Sequence, residues 1–361
     1  MPLVSIRIVL QTLGFIIPTF WGLLYCSQTD RHFPVKILIT VLISFAFVCA
    51  INFIEHAQHS FSRMYAGDVP APFFQEHTIY SAMAGLMIPL AFILTAWFAQ
   101  RNTLKFLLST GILLLSISAL ILSYSRAALL SIIIAFFVYA LIKLKIHWII
   151  VCSMFLLGSL ILFSQQEKIL MSLRRNQIES KTKKTDVEKQ LKSMVNVSND
   201  VSNLERINRW KSAFRMIEEK PFLGFGYGTY QYKYFAYQKE SEMTSISIRN
   251  PQSHYLAGTG GTTHSEYLLM SSENGILGGI TYALLLACSI YFMLKNIKQI
   301  DSNSYEYYLI LGIGMSITTY IVHSFFNNFL DASKIIFVFY AMLASMVSLD
   351  NNIQESISKK I

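Results

Sequence analysis

The feature that most constrains this chain is a series of apolar blocks, each close to the ~20 residues that a helix needs to cross a bilayer. About nine blocks can be counted, at residues 6–25, 35–54, 78–98, 104–122, 127–141, 147–163, 276–294, 307–321 and 335–347. Only 14% of the residues are charged. Because a backbone in hydrocarbon must satisfy its own hydrogen bonds, the prediction is an all-α polytopic membrane protein.

One long polar stretch interrupts the apolar blocks and defines the domain organisation. The prediction is N-terminal transmembrane helices, a large loop on the periplasmic or extracellular side, C-terminal transmembrane helices and a cytoplasmic tail, at residues 1–163, 164–263, 264–348 and 349–361. Lysines and arginines of the short connectors fall on one face, which is then cytoplasmic. Long loops translocate regardless of charge, so the net charge of +9 does not indicate nucleic acid as a partner.

The start of the chain fits this topology badly. Nine spans with a cytoplasmic C-terminus put Met1 outside, although Arg7 favours the cytoplasm. No small-x-small cleavage site precedes Cys26, so the first block is expected to be retained. The expectation is that the first block is not a full span or that upstream helices are missing.

Within the loop, the C-terminal half shows the clearest signs of regular structure. Residues 165–203 are rich in Lys, Glu, Ser and Asn, which is typical of a solvated linker. Apolar residues then recur at helical spacing from Leu204 to Ile217, predicting an amphipathic helix. Three glycines and several tyrosines follow at residues 224–237, and the aromatics fit either an interfacial belt or a glycan-stacking platform.

Three positions on the outer face are candidates for chemistry. Arg126 lies between two apolar blocks, so its charge is expected to be paired, hydrated, used on an anion or snorkelling at a helix end. Arg206 lies on the loop helix, where it either binds an anion or solubilises the helix. His264 is the candidate for proton transfer, with Glu266 or Glu273 to orient it.

Other chemistries have little support. The sequence has no HExxH or outer acidic DxD motif, so no metal and no cofactor are expected. The four cysteines show no CxxC spacing, which argues against disulfides and cysteine metal sites.

The outer-face segments resemble the O-antigen ligase family, within the wider group of O-antigen ligases, polymerases and oligosaccharide transferases. Ser125 and Arg126 are similar to the family's Ser-Arg motif at a periplasmic helix end. Residues 206–210 are similar to its Arg-x-x-x-Trp segment, and residues 221–226 to the Pro-x-x-Gly-x-Gly that follows.

The most specific part of the resemblance begins at His264. His264 and Ser265 are followed by nine residues, Gly275 and then Gly278, as in the family pattern, with Glu273 in a Glu-x-Gly-x-x-Gly setting. The likeness covers roughly residues 78–347. The family usually has about twelve helices rather than nine.

The resemblance implies a glycosyltransferase of the bacterial inner membrane whose active site faces the periplasm. The donor would be an undecaprenyl-diphosphate-linked glycan, and the acceptor lipid A-core or a growing polysaccharide. We expect catalysis by His264, Arg126 and Arg206, without metal. We expect substrate binding by Arg209, Tyr227, Tyr230 and Glu273.

Two alternatives stay open at this stage. A polymerase that joins lipid-linked repeat units into O-antigen or capsule would use the same donor and a similar site. A transporter of polar lipids or glycans would be expected to show internal repeats and discontinuous helices.

Overall fold

The computed structural model describes residues 2–145, 164, 201–247 and 261–359. Within these ranges the regular structure is helical, without a β-strand. The helices are α1 (Pro2–Ile16), α2 (Leu23–Ser27), α3 (Phe33–Gln58), α4 (His77–Phe98), α5 (Thr103–Leu122), α6 (Arg126–Lys143), α7 (Val201–Glu219), α8 (Tyr230–Lys233), α9 (Glu266–Gln299), α10 (Tyr305–His323) and α11 (Ser333–Ser358). The predicted all-α fold class is confirmed.

Seven helical segments of the described residues are long and apolar enough to cross a membrane. They are Leu3–Ser27, Phe33–Gln58, His77–Phe98, Thr103–Leu122, Arg126–Lys143, Glu266–Gln299 and Ser333–Ser358. A π-helical turn, Ile17–Gly22, joins α1 to α2 within the first of them. Each coincides with a predicted block, so the chain is a multi-pass membrane protein. The predicted span at 147–163 and the predicted linker at 165–200 lie outside the described residues.

Helix α10 stands where a further span was predicted, but it is less apolar than those seven. It lies in the interior of the bundle, where it contacts α4, α6 and α9. Its polar side chains bond to helix backbone: the Ser316 hydroxyl donates to the carbonyl of Leu86 at 2.7 Å, and the Thr319 hydroxyl to that of Gly85 at 3.0 Å. Such interhelical bonds let polar residues lie inside a membrane bundle.

The basic residues of the short connectors gather at one end of the bundle, as predicted. Arg101 donates to the Asn303 side chain at 2.5 Å, and Lys295 pairs with Asp350 at 2.9 Å. At the same end, the Lys143 ammonium lies 5.0 Å from the ring centre of Tyr307. The predicted domain boundaries stay predictions; helix α11 continues to Ser358, through most of the predicted tail.

Candidate active site

His264 lies where the large loop enters α9. Its φ of 52° places it in the left-handed region, which is uncommon for a residue other than glycine. The neighbouring residues hold this turn: the Thr263 hydroxyl donates to the Ser265 carbonyl at 2.6 Å and accepts from the Ser265 N–H at 3.1 Å. A non-glycine residue in this conformation is often found where a site requires a fixed geometry.

The charge state of His264 is set by burial and by two arginines. Burial lowers the pKa of His264 to about 4, and the charges of Arg209 and Arg206 act in the same direction. Glu205 and a side-chain hydrogen bond with Asn327 act in the opposite direction. The imidazole is therefore neutral at neutral pH, which is the form that accepts a proton.

Arg209 is held by a buried ion pair on α7. Its Nε donates to Glu205 Oε1 at 3.0 Å, one helical turn away, and both side chains are less than a tenth exposed. Its Nη1 donates to the carbonyl of Thr262 at 2.9 Å. A Cβ on Gly261 would lie 2.1 Å from this nitrogen, and Gly261 has a φ of +78°, so only glycine fits. Arg209 thus binds the segment before His264 to α7. Contact of Arg209 with substrate stays a prediction.

Glu205 is the centre of the polar network behind Arg209. Burial would raise the pKa of this carboxyl, but hydrogen bonds from Ser247 and Thr244 and the bond to Arg209 hold the pKa below its usual value. Thr244 donates at 2.8 Å, and Ser247 also contacts the same carboxylate oxygen. The carboxylate therefore stays ionised and balances the charge of Arg209.

Arg206 is half-buried on the same helix and donates to the Asn203 side chain at 3.2 Å. Because its charge lowers the pKa of His264, the structure brings these two predicted catalytic residues into one electrostatic environment. Glu205, the neighbour of Arg206 in the sequence, pairs with Arg209.

Arg126 is the first residue of α6, with Ser125 at the N-cap position. A Cβ placed on Gly85 would lie 3.8 Å from Ser131 Oγ of α6 and 3.9 Å from Thr319 Oγ1 of α10. Ser131 and Thr319 therefore lie at the same height in the bundle. Arg126 precedes Ser131 on α6, and His323 follows Thr319 on α10. Arg126 is therefore at the same end of the bundle as the α10–α11 turn that carries Asn327, the partner of His264.

The glycine-rich loop after α7 docks on a break in α9. Gly275 has φ 71° and ψ −179° inside α9, and a Cβ there would lie 2.0 Å from the carbonyl oxygen of Phe222. The Ile276 N–H donates to the Pro221 carbonyl at 2.7 Å, and the Gly226 N–H to the Glu273 carbonyl at 2.8 Å. Two motifs that lie about 50 residues apart in the sequence therefore form one joint.

Glu273 reinforces this joint with its side chain. Its two carboxylate oxygens accept the N–H of Gly228 at 2.7 Å and the N–H of Tyr230 at 2.8 Å. The carboxylate, only 2% exposed, holds the loop in place. Substrate binding by Glu273 remains a prediction.

The two predicted substrate-binding tyrosines occupy different environments. Tyr230 is fully buried, its hydroxyl donates to the carbonyl of Arg209 at 2.9 Å, and its ring stacks on Tyr234. Tyr227 is half-buried and accepts a hydrogen bond from Thr12 of α1 at 3.5 Å. Tyr227 lines a cavity of about 640 Å³ that is bounded on one side by α1, and we call it the α1 cavity.

The α10–α11 turn is a part of the site that sequence reasoning missed. Glu266 accepts hydrogen bonds from the N–H groups of Phe329 at 2.7 Å and Leu330 at 3.2 Å, and its own N–H donates to Ser324. The start of α9 and this turn are thus held together, and the turn supplies Asn327 to His264. Glu266 acts on the turn, which is a different role from the orientation of His264 considered for it.

The depressed pKa of His264 gives a testable prediction. Replacing Arg209 or Arg206 with Gln removes a positive charge that opposes protonation, so the pKa of His264 should rise from about 4. The increase should be larger for Arg209→Gln. Imidazole NMR titration of the full protein in nanodiscs measures it, with His264→Gln assigning the resonance. An unchanged pKa in both variants contradicts the electrostatic account.

Within the part of the chain that the structure describes, no group of three or more His, Cys, Asp or Glu side chains is placed to hold a metal ion. The residues gathered around His264 are instead donors and acceptors of hydrogen bonds and fixed positive charges. Such a site suits stabilisation of an anion together with removal of a proton.

Comparison with known protein families matches part of this chain. Residues 111–283 match the family model described as O-Antigen ligase, a segment that contains Arg126, α7 and His264. No curated protein and no solved structure matches the chain. The matched segment supports the assignment of this multi-pass membrane protein to the O-antigen ligase family, which implies a membrane glycosyltransferase of the ligase or polymerase type.

Proposed function

We propose that this protein is a ligase that transfers a glycan from undecaprenyl diphosphate to a hydroxyl of lipid A-core. The observation that carries the proposal is His264, which is held at a positive φ, is neutral at neutral pH, and lies close enough to Arg206 for that charge to lower its pKa. A neutral imidazole can accept the proton of an acceptor hydroxyl, and a guanidinium can bind a diphosphate through two parallel hydrogen bonds. The bacterial inner membrane, with the site facing the periplasm, is part of the proposal.

The proposed reaction is a single displacement at the anomeric carbon. The acceptor oxygen forms the new glycosidic bond while His264 takes its proton. The bond from the anomeric carbon to the diphosphate oxygen breaks, and the electron pair leaves with undecaprenyl diphosphate. Arg126 and Arg206 stabilise the charge of this leaving group. Because the acceptor oxygen attacks from the face opposite the diphosphate, the configuration at the anomeric carbon is inverted.

Donor binding would also make His264 a stronger base. The two arginines help to keep the pKa of the free imidazole near 4, and such a low pKa weakens a general base. A bound diphosphate brings negative charge beside Arg206 and so offsets part of this effect. The proton acceptor thus gains basicity when the donor is in place.

The arginines give the first test of this proposal. Arg126→Ala and Arg206→Ala should each lower the transfer rate by about 10²-fold or more, because each removes a fixed donor to developing charge. Arg126→Lys should retain part of the rate, since lysine keeps the charge but not the planar fork. The exposed arginine Arg63 provides the matched control, and Arg63→Ala should leave the rate unchanged. Wild-type transfer by both alanine variants would contradict the proposal.

Deleting the gene separates the ligase from the polymerase of the same group. Loss of a ligase should leave long polymer on the lipid carrier, whereas loss of a polymerase should leave single repeats attached to the acceptor. A transporter predicts that the purified protein forms no glycosidic bond from lipid-linked donor and acceptor. The products therefore discriminate all three.

A further inference from the structure

The α1 cavity is large enough for a ligand, and the reaction proposed above does not use most of its lining. Its volume of about 640 Å³ lies within the range of small-molecule sites. Polar side chains enter it from several separate segments of the chain. They include Gln11 and Thr12 of α1, Gln75 before α4, Tyr227 and Gln231 of the loop, and Ser333 of α11.

These side chains have the chemistry that recognises sugars. Carboxamides and hydroxyls both donate and accept, as sugar hydroxyls do. The half-buried Tyr227 adds an aromatic side chain against which the apolar face of a sugar ring can pack. The lining also has apolar residues such as Ile8 and Phe15 from α1. In a partly apolar cavity, a small number of polar groups is enough to fix the orientation of a ligand.

The charge of the cavity decides which sugars fit. Glu76, Glu273 and Asp331 line it, and the part of the lining that the structure describes contains no lysine or arginine. Glu76 accepts from Thr78 at 3.0 Å, and Asp331 from Asn328 at 2.6 Å. A carboxyl group has several acceptor sites, so Glu76 and Asp331 can accept further hydrogen bonds. A lining that has carboxyl groups and no cationic side chain offers no counter-charge to a diphosphate or a carboxylate-bearing sugar.

The cavity and the His264 site lie on either side of the chain segment that contains Thr262. Thr262 lines the cavity, and its carbonyl accepts the hydrogen bond of Arg209. Asn328 joins the two regions on the other side: it contacts the Thr262 hydroxyl and donates to Asp331. Arg209 thus lies on one side of this segment, and the carboxyl groups of the cavity lie on the other. This separation assigns the diphosphate and the sugar to different sides.

We propose that the α1 cavity is a sugar subsite that takes uncharged or amine-bearing sugar units and rejects acidic ones. The sugar unit comes from either the donor glycan or the acceptor, and the cavity chemistry is the same for both. The inference rests on the proposed function for its place in the reaction. The binding chemistry itself rests only on the cavity.

Binding of free sugars tests the subsite without requiring transfer. The probes are trisaccharides of glucosamine, N-acetylglucosamine and galacturonic acid, measured against the full protein in nanodiscs by saturation-transfer NMR. Glucosamine should bind best and galacturonate worst. Asp331→Asn and Glu76→Gln should each weaken glucosamine binding by about fivefold and reduce the discrimination. Asparagine keeps an oxygen that can accept from Asn328, so the turn should be preserved.

Asp68 provides the control, because it is an exposed carboxylate in the loop before α4 and does not line the cavity. Asp68→Asn should leave binding unchanged. Equal binding of all three trisaccharides, or equal effects of Asp68→Asn and Asp331→Asn, would overturn the subsite. When glucosamine trisaccharide is added to transfer reactions, a rise in the KM for donor or for acceptor identifies which substrate supplies the sugar.

The two proposals fail in different ways. If no donor supports transfer while sugar binding depends on Asp331 and Glu76, the ligase function fails and the subsite stands. If transfer proceeds while the trisaccharides neither bind nor compete, the subsite fails and the function stands. His264→Ala should lose transfer and keep sugar binding, which links each readout to its own residues.

Discussion

His264→Ala is expected to lower glycan transfer by about 10³-fold, within the ~10²–10⁴ that general base catalysis contributes. The reason is that alanine removes the only group proposed to accept the hydroxyl proton, while the arginines that bind the leaving group remain. Transfer should be measured with purified protein, lipid-linked donor and acceptor, at matched amounts in the membrane.

Two comparisons sharpen this experiment. His59 is an exposed histidine stacked on Tyr65 in the loop before α4, so His59→Ala should transfer at the wild-type rate. His264→Gln keeps a polar side chain of similar reach but cannot accept a proton in the same way, and it should be as defective as alanine. A His264→Ala protein that inserts normally and transfers at the wild-type rate would end the proposed mechanism.

Gly275→Ala is expected to remove most of the activity by a different route. Alanine at φ 71° and ψ −179° is strained by about 1–3 kcal/mol, and its Cβ would lie 2.0 Å from the Phe222 carbonyl oxygen. The loop should therefore detach from the break in α9, with loss of the bonds from Ile276 and Gly226. Limited proteolysis should cut residues 220–230 faster in the variant, while the helix content by circular dichroism is maintained.

The matched control for this substitution is Gly111→Ala on α5. A Cβ at Gly111 meets nothing within 4 Å, so the same chemical change should have no effect on proteolysis or transfer. If Gly275→Ala is as resistant and as active as Gly111→Ala, the joint between the glycine-rich loop and α9 does not hold the site together.

The sequence predicts those parts of the protein that depend on local patterns. Apolar blocks of bilayer length locate the spans, and helical spacing from Leu204 to Ile217 locates α7, observed as Val201–Glu219. The four-residue spacing of Glu205 and Arg209 was also a readable signal for their ion pair. Such patterns work because the bilayer and the helical repeat act within a single segment.

The contacts that complete the site are long-range, and no local pattern encodes them. Asn327 bonds with His264 because Glu266 fixes the α10–α11 turn against the start of α9. The docking of Pro221 on Ile276 depends on the break at Gly275, which only the assembled loop explains. The low pKa of His264 follows from burial and from charges on another helix. The sequence therefore predicts candidate reactive residues but not the residues that position them.

The position of α10 has a consequence for how the protein is made. Helices leave the insertion machinery according to how well each partitions into lipid, and α10 carries Ser316 and Thr319, whose hydroxyls are satisfied by the backbone of α4. The neighbouring helices therefore surround α10 and satisfy its polar groups, which lipid could not do. We therefore expect stable insertion of α10 to require a helix that is synthesised more than 200 residues earlier, which would couple membrane insertion to tertiary assembly.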